Sequence, residues 1–447
     1  MVVSPARPLD LFAHLVYHEY ETDPECAARR VLLDQMIDAA AYGDLFVHGW
    51  GRPSWPVDMM LRAMYIQKEE GWSDRQLARQ LKDNLRVRFL VGLPAQGKAP
   101  KRSTFVDFRR RLLVHQKHLL AFEQQQRFIA ETGLVRPDDG MIIDSTPYLT
   151  WAAQPTVVGL LQHAMRRLLL ALREHAPQLA TDISVQLHLK PFLTKRFQRF
   201  ASGIASRQGR RLWGRFYRKA NKLLKLLPSD AVPEVEPQRA LLERVLAERG
   251  PDGSGQVPDR VTNAMDADAR FGCKGKGGRR RVWQGYKHTL VTHEPTDLIL
   301  AQHVMPAQHV DGDALLPALD SLRTAFALPA TLDGDEAYTS QENRRAASQL
   351  GVCLIGPRRT KKRPGRVPGG GRVAKRADRG RRSQVEHVVA HIVRWRHNRR
   401  TPYLGLAKAW LQASFATCAA NLVRLLALWR DGRLVLPTPP AAPAAAA

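Results

Sequence analysis

The sequence predicts an α/β core, a mixed sheet flanked by helices, with a helical N-terminal domain before it and a helical insertion within it. Apolar residues recur at helical spacing in residues 1–130. Short β-type runs lie at 141–146 and, alternating with helical stretches, between 285 and 355. Residues 152–258 form a separate block of helical periodicity. At 447 residues the chain is long enough for roughly two or three such units.

The N-terminal domain is predicted to consist of short helices joined by capped turns. Ser73 and Gln76 form a capping-box pattern, which predicts a helix over 74–81. Ser103 is expected to begin a further helix that carries Phe105 and Phe108. This arrangement is typical of helix-turn-helix bundles that contact DNA, and a plain dimerisation domain is the alternative.

The core is predicted from alternating strand and helix signals. Residues 141–146 are interpreted as a buried strand that follows a turn at 138–140 and ends at the carboxylate of Asp144. The remaining predicted elements are a hairpin at 285–292 and 298–301, strands at 331–332 and 352–355, and helices at 313–327, 342–350, from 383 and at 406–428. The predicted units are therefore a domain at 1–130, a core at 135–430 interrupted by 152–258, and a disordered Pro/Ala tail at 437–447.

The charge of the chain indicates a polyanionic partner. Lys and Arg number 69 against 42 Asp and Glu, a formal net charge of +27, and nucleic acid is the partner that such an excess favours. Residues 190–225 hold 12 Lys/Arg and no acid, and residues 357–382 hold 12 with one acid, Asp378. The first segment is expected to bind DNA phosphates through Arg211, Arg215 and Lys219, with its aromatic residues serving as a core stripe. The second is expected to be a mobile basic loop that becomes ordered on DNA.

Several classes of protein are not expected. The four cysteines form no CxxC pair and lie at no zinc-finger spacing, so a structural zinc site is not predicted. We expect them to be reduced thiols of a cytosolic protein. The N-terminus lacks the pattern of a signal peptide, and no run of 18 uninterrupted apolar residues suggests a membrane span. We therefore expect a cytoplasmic, nucleoid-associated protein with no membrane partner.

Three carboxylates stand out by their context. Asp144 ends a predicted strand, Asp335 follows a second one, and Glu386 lies on a predicted helix. Alone, each is better explained as an ordinary turn or surface residue. Together in a basic protein they suit phosphoryl transfer on DNA, because Mg²⁺ prefers oxygen ligands and two such ions can activate the attacking and stabilise the leaving oxygen.

Many ordered motifs resemble one family. They include Trp72 to Ala78, Ser103 to Phe105, Ile143 to Thr146, Asp266 to Gly272, Gly285-Tyr286-Lys287, Asp335-Glu336-Ala337-Tyr338, Arg382 with Glu386, Tyr403 to Leu406, and Asn421 to Arg424. In this order they resemble bacterial insertion-sequence transposases of the DDE class, which have an RNase H-like catalytic core. The resemblance spans about residues 8 to 428 except the 152–258 block.

The resemblance implies a role for individual residues. Asp144, Asp335 and Glu386 would be the catalytic, metal-binding triad, holding two Mg²⁺ ions for which Mn²⁺ can substitute. Asp333 is the rival for the second position, and the Asp-x-x-Tyr spacing favours Asp335. Arg382, one turn before Glu386, would bind a DNA phosphate.

Lys287 and Arg394 are further expected DNA contacts. Relatives often carry a Lys seven residues after the Glu, where this chain has Val393, and Arg394 is the nearest substitute. The motif usually written Asn-x-His-Asp is Gln308-His309-Val310-Asp311 here. Three residues before Arg382, where relatives often have Tyr, the chain has Arg379.

The function that the resemblance implies is metal-dependent cleavage and strand transfer of insertion-sequence ends. The expected partners are the element ends, the target DNA, and further copies of the chain in a homodimer or higher assembly. Two alternatives remain: a domesticated or decayed DNA-binding protein without catalysis, and an RNase H-like nuclease that cleaves without joining.

Overall fold

The computed structural model describes residues 11–46, 54–193, 203–229, 231–255, 257–275, 281–356, 372–373, 378–396 and 398–437. The predicted basic loop at 357–382 lies largely outside these residues, as do part of the basic segment, at 194–202, and all but the first residue of the predicted tail at 437–447. The predicted α/β class, a mixed sheet flanked by helices with a helical N-terminal region, is confirmed.

The helical N-terminal region contains seven α-helices among the described residues. They are α1 (Leu11–Thr22), α2 (Pro24–Gln35), α3 (Val57–Glu69), α4 (Asp74–Asp83), α5 (Leu85–Val91), α6 (Arg102–Val114) and α7 (Leu120–Glu131). The predicted capping box is present, since Ser73 accepts from the Gln76 backbone and the Gln76 side chain accepts from the Ser73 backbone N–H. These two bonds satisfy donors that would otherwise be unpaired at the start of α4.

The insertion is helical and has a hydrophobic core of its own. Its helices are α8 (Val157–His175), α9 (Pro177–Gln186), α10 (Lys190–Leu193), α11 (Arg207–Leu226) and α12 (Glu236–Arg249). Leu161 and Leu168 of α8 pack in this core with Trp213, Phe216 and Leu242. The interpretation of the aromatic residues as a core stripe is therefore confirmed for Trp213 and Phe216.

The sheet is mixed, and the described residues contribute eight strands to it. They are β1 (Met141–Thr150), β2 (Arg270–Lys274), β3 (Arg281–His293), β4 (Ile299–Pro306), β5 (Thr331–Gly334), β6 (Cys353–Gly356), β7 (Arg372–Val373) and β8 (Arg400–Thr401). β3 is antiparallel to β1, β2 and β4, whereas β1 is parallel to β5 and β8. β5, β6 and β7 continue the parallel part. Four strands in antiparallel pairing, β1 to β4, thus lead into a parallel edge of β5, β6 and β7, as expected for an RNase H-like core.

Four helices accompany the second part of the sheet: α13 (Leu315–Leu322), α14 (Gln341–Gln349), α15 (Asp378–Trp395) and α16 (Leu406–Arg430). α15 packs against β1, β3 and β5, and α16 packs against α2, α3, α7 and β4. α16 is long and apolar enough to cross a membrane by length and composition, but 83% of its most apolar window is buried inside the protein. It therefore has the burial of a central core helix.

One continuous hydrophobic core joins the N-terminal helices to the sheet. Leu33 and Phe105 from the helices belong to the same buried cluster as Ile143, Leu332 and Leu422. Because the helical region and the sheet bury apolar surface against each other, α16 and the strands are held in a fixed relation to the N-terminal helices.

Candidate active site beside strands β1 and β5

Asp144 and Asp335 are brought together by the register of two parallel strands. Ile142 lies opposite Asp333, and Ile143 lies opposite Gly334, the last residue of β5. Asp144 and Asp335 are the next residue on each side. The Asp144 carboxylate accepts from the Ser145 N–H at 2.8 Å, and Asp335 accepts from the Ala337 N–H at 2.8 Å.

The pair carries unfavourable negative charge. The pKa of Asp144 is raised to about 6, mainly by burial. The carboxylates of Asp335 and Asp311 contribute to this rise, and the Ser145 N–H and the Lys274 ammonium oppose it. Like charges at close range disfavour ionisation. A cation bound at this position would therefore be stabilised by the carboxylates that it neutralises.

Glu386 lies on α15, which packs across the strands that carry the two aspartates. Val385 and Ile392 face inward and are buried, whereas Glu386 is exposed. The helix extends back past Arg382, so the backbone places Arg382 and Glu386 one turn apart. Among the described residues, no three His, Cys, Asp or Glu side chains form a group that could hold a metal ion. The strand register thus pairs Asp144 with Asp335.

Asp333, the rival for the second position, lies within the sheet. It is 2% exposed and sits opposite Ile142 on one side and Ile355 on the other. Asp335 is half-buried and directly follows the last residue of β5. This placement favours Asp335.

A chain of hydroxyl groups connects the two strands behind the aspartates. Ser145 Oγ shares one hydrogen bond with Thr289 Oγ1, at 2.6 Å, and a second with the Tyr338 hydroxyl. Tyr338 is fully buried and ends the turn that begins at Asp335. The sequence signal for this contact was the Asp-x-x-Tyr spacing, which we used only to choose between the two aspartates.

The Gly-Tyr-Lys motif has a structural role at each position. Gly285 has a φ of +146°, and a Cβ there would lie 2.4 Å from the Tyr148 carbonyl oxygen, so a side chain does not fit. Tyr286 donates to Asp266 at 2.5 Å. Lys287 donates to the His309 carbonyl at 2.6 Å and to Asp311 at 2.5 Å.

The predicted DNA contact of Lys287 is not supported by this arrangement. The residue is 9% exposed, and its ammonium is engaged by Asp311 from the Gln308-His309-Val310-Asp311 motif. Asp311 is one of the carboxylates that raise the pKa of Asp144. Lys287 therefore offsets negative charge beside the aspartates. Its partner Asp311 is distant in the sequence, so no local sequence pattern reveals this role.

Asp266 joins the end of β1 to the start of α16. Its carboxylate accepts from the Thr150 hydroxyl at 2.5 Å, from the Tyr286 hydroxyl and from the Gly405 N–H at 3.0 Å. Asp268 accepts from the Leu406 N–H at 2.8 Å. The Asp-x-Asp motif thus caps α16 and fixes the end of the connection from β8 to α16.

The predicted DNA-binding residues of the insertion differ in their surroundings. Arg211 and Arg215 are exposed on α11, and the guanidinium of Arg215 lies 5.3 Å from the centre of the Phe216 ring. Lys219 instead donates to the carbonyl oxygens of Leu187 at 2.9 Å and His188 at 3.3 Å. It caps the end of α9, so the geometry does not support a phosphate contact for Lys219. Arg394, at the end of α15, is exposed.

A basic groove of about 970 Å³ crosses the N-terminal helices between α4 and α6. Its basic lining residues are Arg79, Lys82, Lys98, Lys101, Arg102 and Arg111. Lys98 and Lys101 lie in the segment before α6, and Arg102 is the first residue of that helix. The fold adds α4 and the last turn of α6 to the same surface.

Two family models match the chain. A transposase domain of the DUF772 type matches residues 19–111, and a transposase DDE domain matches residues 257–422. Asp335, Arg382 and Glu386 lie inside the second match, whereas Asp144 and the insertion lie between the two. Comparison with curated proteins gives no match, and neither does comparison with solved structures. The two matches together cover more than half of the chain, in the order of the N-terminal helices and the RNase H-like core, and the chain belongs to the insertion-sequence transposases of the DDE class.

Proposed function

We propose that this transposase cleaves the ends of its element and joins them to target DNA at a site formed by Asp144, Asp335 and Glu386. The observation that carries the proposal is the register of β1 and β5, which sets Asp144 beside Asp335. The raised pKa of Asp144 adds to it, because a carboxylate pair of this kind favours a bound cation.

The residues present fit a divalent cation. Asp144 and Asp335 supply the carboxylate oxygens that Mg²⁺ prefers, and the negative charge at Asp144 is only partly offset by Lys274. Glu386 would complete the set, and since three carboxylates repel one another, its approach requires the charge of the metal. Two Mg²⁺ ions, or Mn²⁺ in their place, would polarise the phosphate and lower the pKa of the attacking oxygen.

The chain's own residues would orient this centre. The hydroxyl chain of Tyr338, Ser145 and Thr289 holds the Asp335 turn against β1. Lys287 neutralises Asp311, so that the charge of Asp311 does not add in full to that of Asp144. Arg382 would bind a DNA phosphate beside the reacting bond. In the proposed reaction, water attacks at the element end, and the released 3′-hydroxyl then attacks target DNA.

Two basic surfaces would hold the DNA. One is the N-terminal groove between α4 and α6. The other is the solvent face of α11, where Arg207, Arg211, Arg218 and Lys225 recur at helical spacing and are exposed. Phosphate contacts of this kind supply affinity without reading sequence. We assign end recognition and assembly to residues 1–130 and catalysis to residues 135–430, with the insertion at 152–258 as an additional DNA grip.

Assembly and location follow from the reaction. Cutting two element ends requires at least two active sites, so we propose a homodimer or a higher assembly on DNA. The site of action is the cytoplasm, at the nucleoid.

The test is cleavage of the protein's own element. A plasmid carrying the gene with its natural flanking DNA is incubated with purified protein and Mg²⁺, and the products are sequenced at their ends. We expect cuts at the element boundaries and joined products, both lost in Asp144→Asn, Asp335→Asn and Glu386→Gln, while DNA binding persists. Binding without cleavage by the wild type would favour a decayed DNA-binding protein, and cleavage without joining would favour a nuclease.

A further inference from the structure

Two tryptophans are unusually exposed. Of the eight that the structure describes, Trp151 is 65% exposed and Trp395 is 67% exposed, and the other six are buried or half-buried. Tryptophan is highly buried on average, because exposing its large apolar ring to water is unfavourable. Trp151 directly follows, and Trp395 ends, an element that carries a proposed catalytic acid. Their exposure therefore suggests a binding partner.

Strand pairing places the two segments side by side. Trp151 directly follows Thr150, the last residue of β1, and Trp395 is the last residue of α15. The chain after α15 returns to β1, where Arg400 lies opposite Leu149. The Arg400 guanidinium lies over the Trp151 ring, 5.4 Å from its centre.

The segment after α15 is firmly anchored. Arg396 is buried and donates to the backbone carbonyl of Glu69, and the buried Asn398 side chain hydrogen-bonds the His288 ring at 3.1 Å. These contacts hold the backbone in place. Arg399 and Arg400 are exposed, and Arg400 lies beside Trp151, so this surface is a fixed feature of the fold.

The sequence segments that contain the two tryptophans lack acidic residues. Neither residues 387–430 nor residues 145–173 contain an Asp or a Glu. Exposed indoles next to arginines are the combination that binds single-stranded nucleic acid, because the rings stack on bases while the guanidinium groups meet phosphates. In a duplex the faces of the bases are already stacked on one another. Duplex DNA would therefore use only the arginine charges of this surface and not the indole rings.

The distance from the acids suits the strand that enters the site. Trp395 lies nine residues beyond Glu386, about 14 Å along the helix axis. Trp151 lies seven residues beyond Asp144, about 23 Å along the strand. At 3.4 Å per nucleotide, both would meet bases roughly four to seven nucleotides from the reacting phosphate.

We propose that Trp151, Trp395, Arg394, Arg399 and Arg400 form a stacking platform for unpaired bases of the DNA strand next to the bond that is cut. The inference rests on the proposed function, since it places the platform relative to the catalytic acids. A second copy of the chain is a poorer occupant, because the same cationic patch would face itself across a two-fold axis.

The test measures binding without catalysis. Labelled oligo-dT and the same strand annealed to oligo-dA are titrated with the full-length protein in the absence of divalent metal. We expect Trp151→Ala and Trp395→Ala each to weaken oligo-dT binding by about tenfold or more, with less than about a twofold effect on the duplex. Trp151→Phe, which keeps a flat ring, restores most of the affinity. Arg345→Ala, an exposed arginine on α14, is the control and changes neither.

Two results would overturn the platform. Equal loss of oligo-dT and duplex affinity in the tryptophan variants would mean that the patch does not stack on bases. Unchanged binding together with a lower oligomeric mass, measured by light scattering, would make it a contact between copies of the chain. Failure of the wild type to cleave its element would contradict the proposed function but would leave these binding results interpretable.

Discussion

Asp144 and Asp335 occupy matched positions on two neighbouring parallel strands, each one residue beyond the registered pair of Ile143 and Gly334. Parallel register therefore sets the two carboxylates side by side. The turn after β5 keeps the second of them there, because Asp335 accepts from the Ala337 N–H within its own turn.

Neutralising Asp333 in β5 and neutralising Asp335 in the turn after it should have different effects on cleavage and on stability. We expect Asp335→Asn to abolish strand cleavage with little change in melting temperature, because asparagine retains the oxygen that accepts from Ala337. Asp333→Asn should lower stability by about 1–3 kcal/mol, since Asp333 is buried in the sheet. Thermal melts and cleavage assays on both variants distinguish them. A folded, inactive Asp333→Asn beside an active Asp335→Asn would reverse the assignment.

Tyr338 should act on the metal requirement as well as on stability. Tyr338→Phe removes the hydroxyl that ties the Asp335 turn to Ser145. We expect the free energy of unfolding to fall by about 1–2 kcal/mol and the Mg²⁺ concentration for half-maximal cleavage to rise.

A buried tyrosine remote from the aspartates provides the control for Tyr338. Tyr17 donates to the Leu93 carbonyl at 2.9 Å in the N-terminal region. Tyr17→Phe should cost similar stability without changing the Mg²⁺ requirement. If the two variants show the same Mg²⁺ dependence, Tyr338 is only a packing residue.

His288 should make the fold sensitive to mild acid. Burial lowers its pKa to about 4, and it bonds Gln302 and Asn398 in its neutral form. Because the folded pKa lies below the unfolded value of about 6.5, the stability from His288 is complete above pH 6.5 and is lost as the pH falls towards 4, by roughly 3 kcal/mol in all.

The comparison for His288 is the variant His288→Gln, which cannot titrate. Its unfolding free energy should fall less steeply between pH 6.5 and pH 4 than that of the wild type. His175→Gln, at the exposed end of α8, should leave the wild-type slope intact. Identical slopes for the wild type and His288→Gln would show that protonation of His288 does not limit acid stability.

The insertion should contribute to the salt dependence of DNA binding through its exposed arginines. We expect Arg211→Ala and Arg215→Ala each to reduce the slope of log affinity against log salt by about 0.9, the effect of one phosphate contact. Lys219→Ala should lower the melting temperature without changing the slope, because Lys219 caps α9. An unchanged slope in the double arginine variant would mean that α11 does not touch DNA.

Local sequence signals were sufficient for most elements. The Ser73–Gln76 capping box needs only four residues, and it begins α4 where predicted. β1 extends to Thr150, so Asp144 lies inside the strand and the prediction that the strand ends at Asp144 is wrong. Pro147 is a local stop signal in the sequence, but pairing with β3 continues through Leu149. The predicted helix at 313–327 is shorter, since α13 ends at Leu322.

Roles that depend on distant partners could not be read from the sequence. The sequence suggests that Lys287 contacts DNA, but in the fold its ammonium pairs with Asp311. Lys219 belongs to a basic run in the sequence, but in the fold it donates to the Leu187 carbonyl at the end of α9. The Tyr338–Ser145 bond joins residues 193 positions apart. In each case the side chain is directed by tertiary contacts, which no spacing of residue types specifies.

Metal binding by the two aspartates tests the central claim most directly. Titration calorimetry with Mn²⁺ is performed on the wild type, Asp144→Asn and Asp335→Asn, with Asp320→Asn, an exposed residue of α13, as the control. We predict that each active-site variant weakens Mn²⁺ binding by at least about tenfold, equivalent to about 1.4 kcal/mol, and that the control matches the wild type. Wild-type affinity in both Asp144→Asn and Asp335→Asn would contradict a metal centre at this pair.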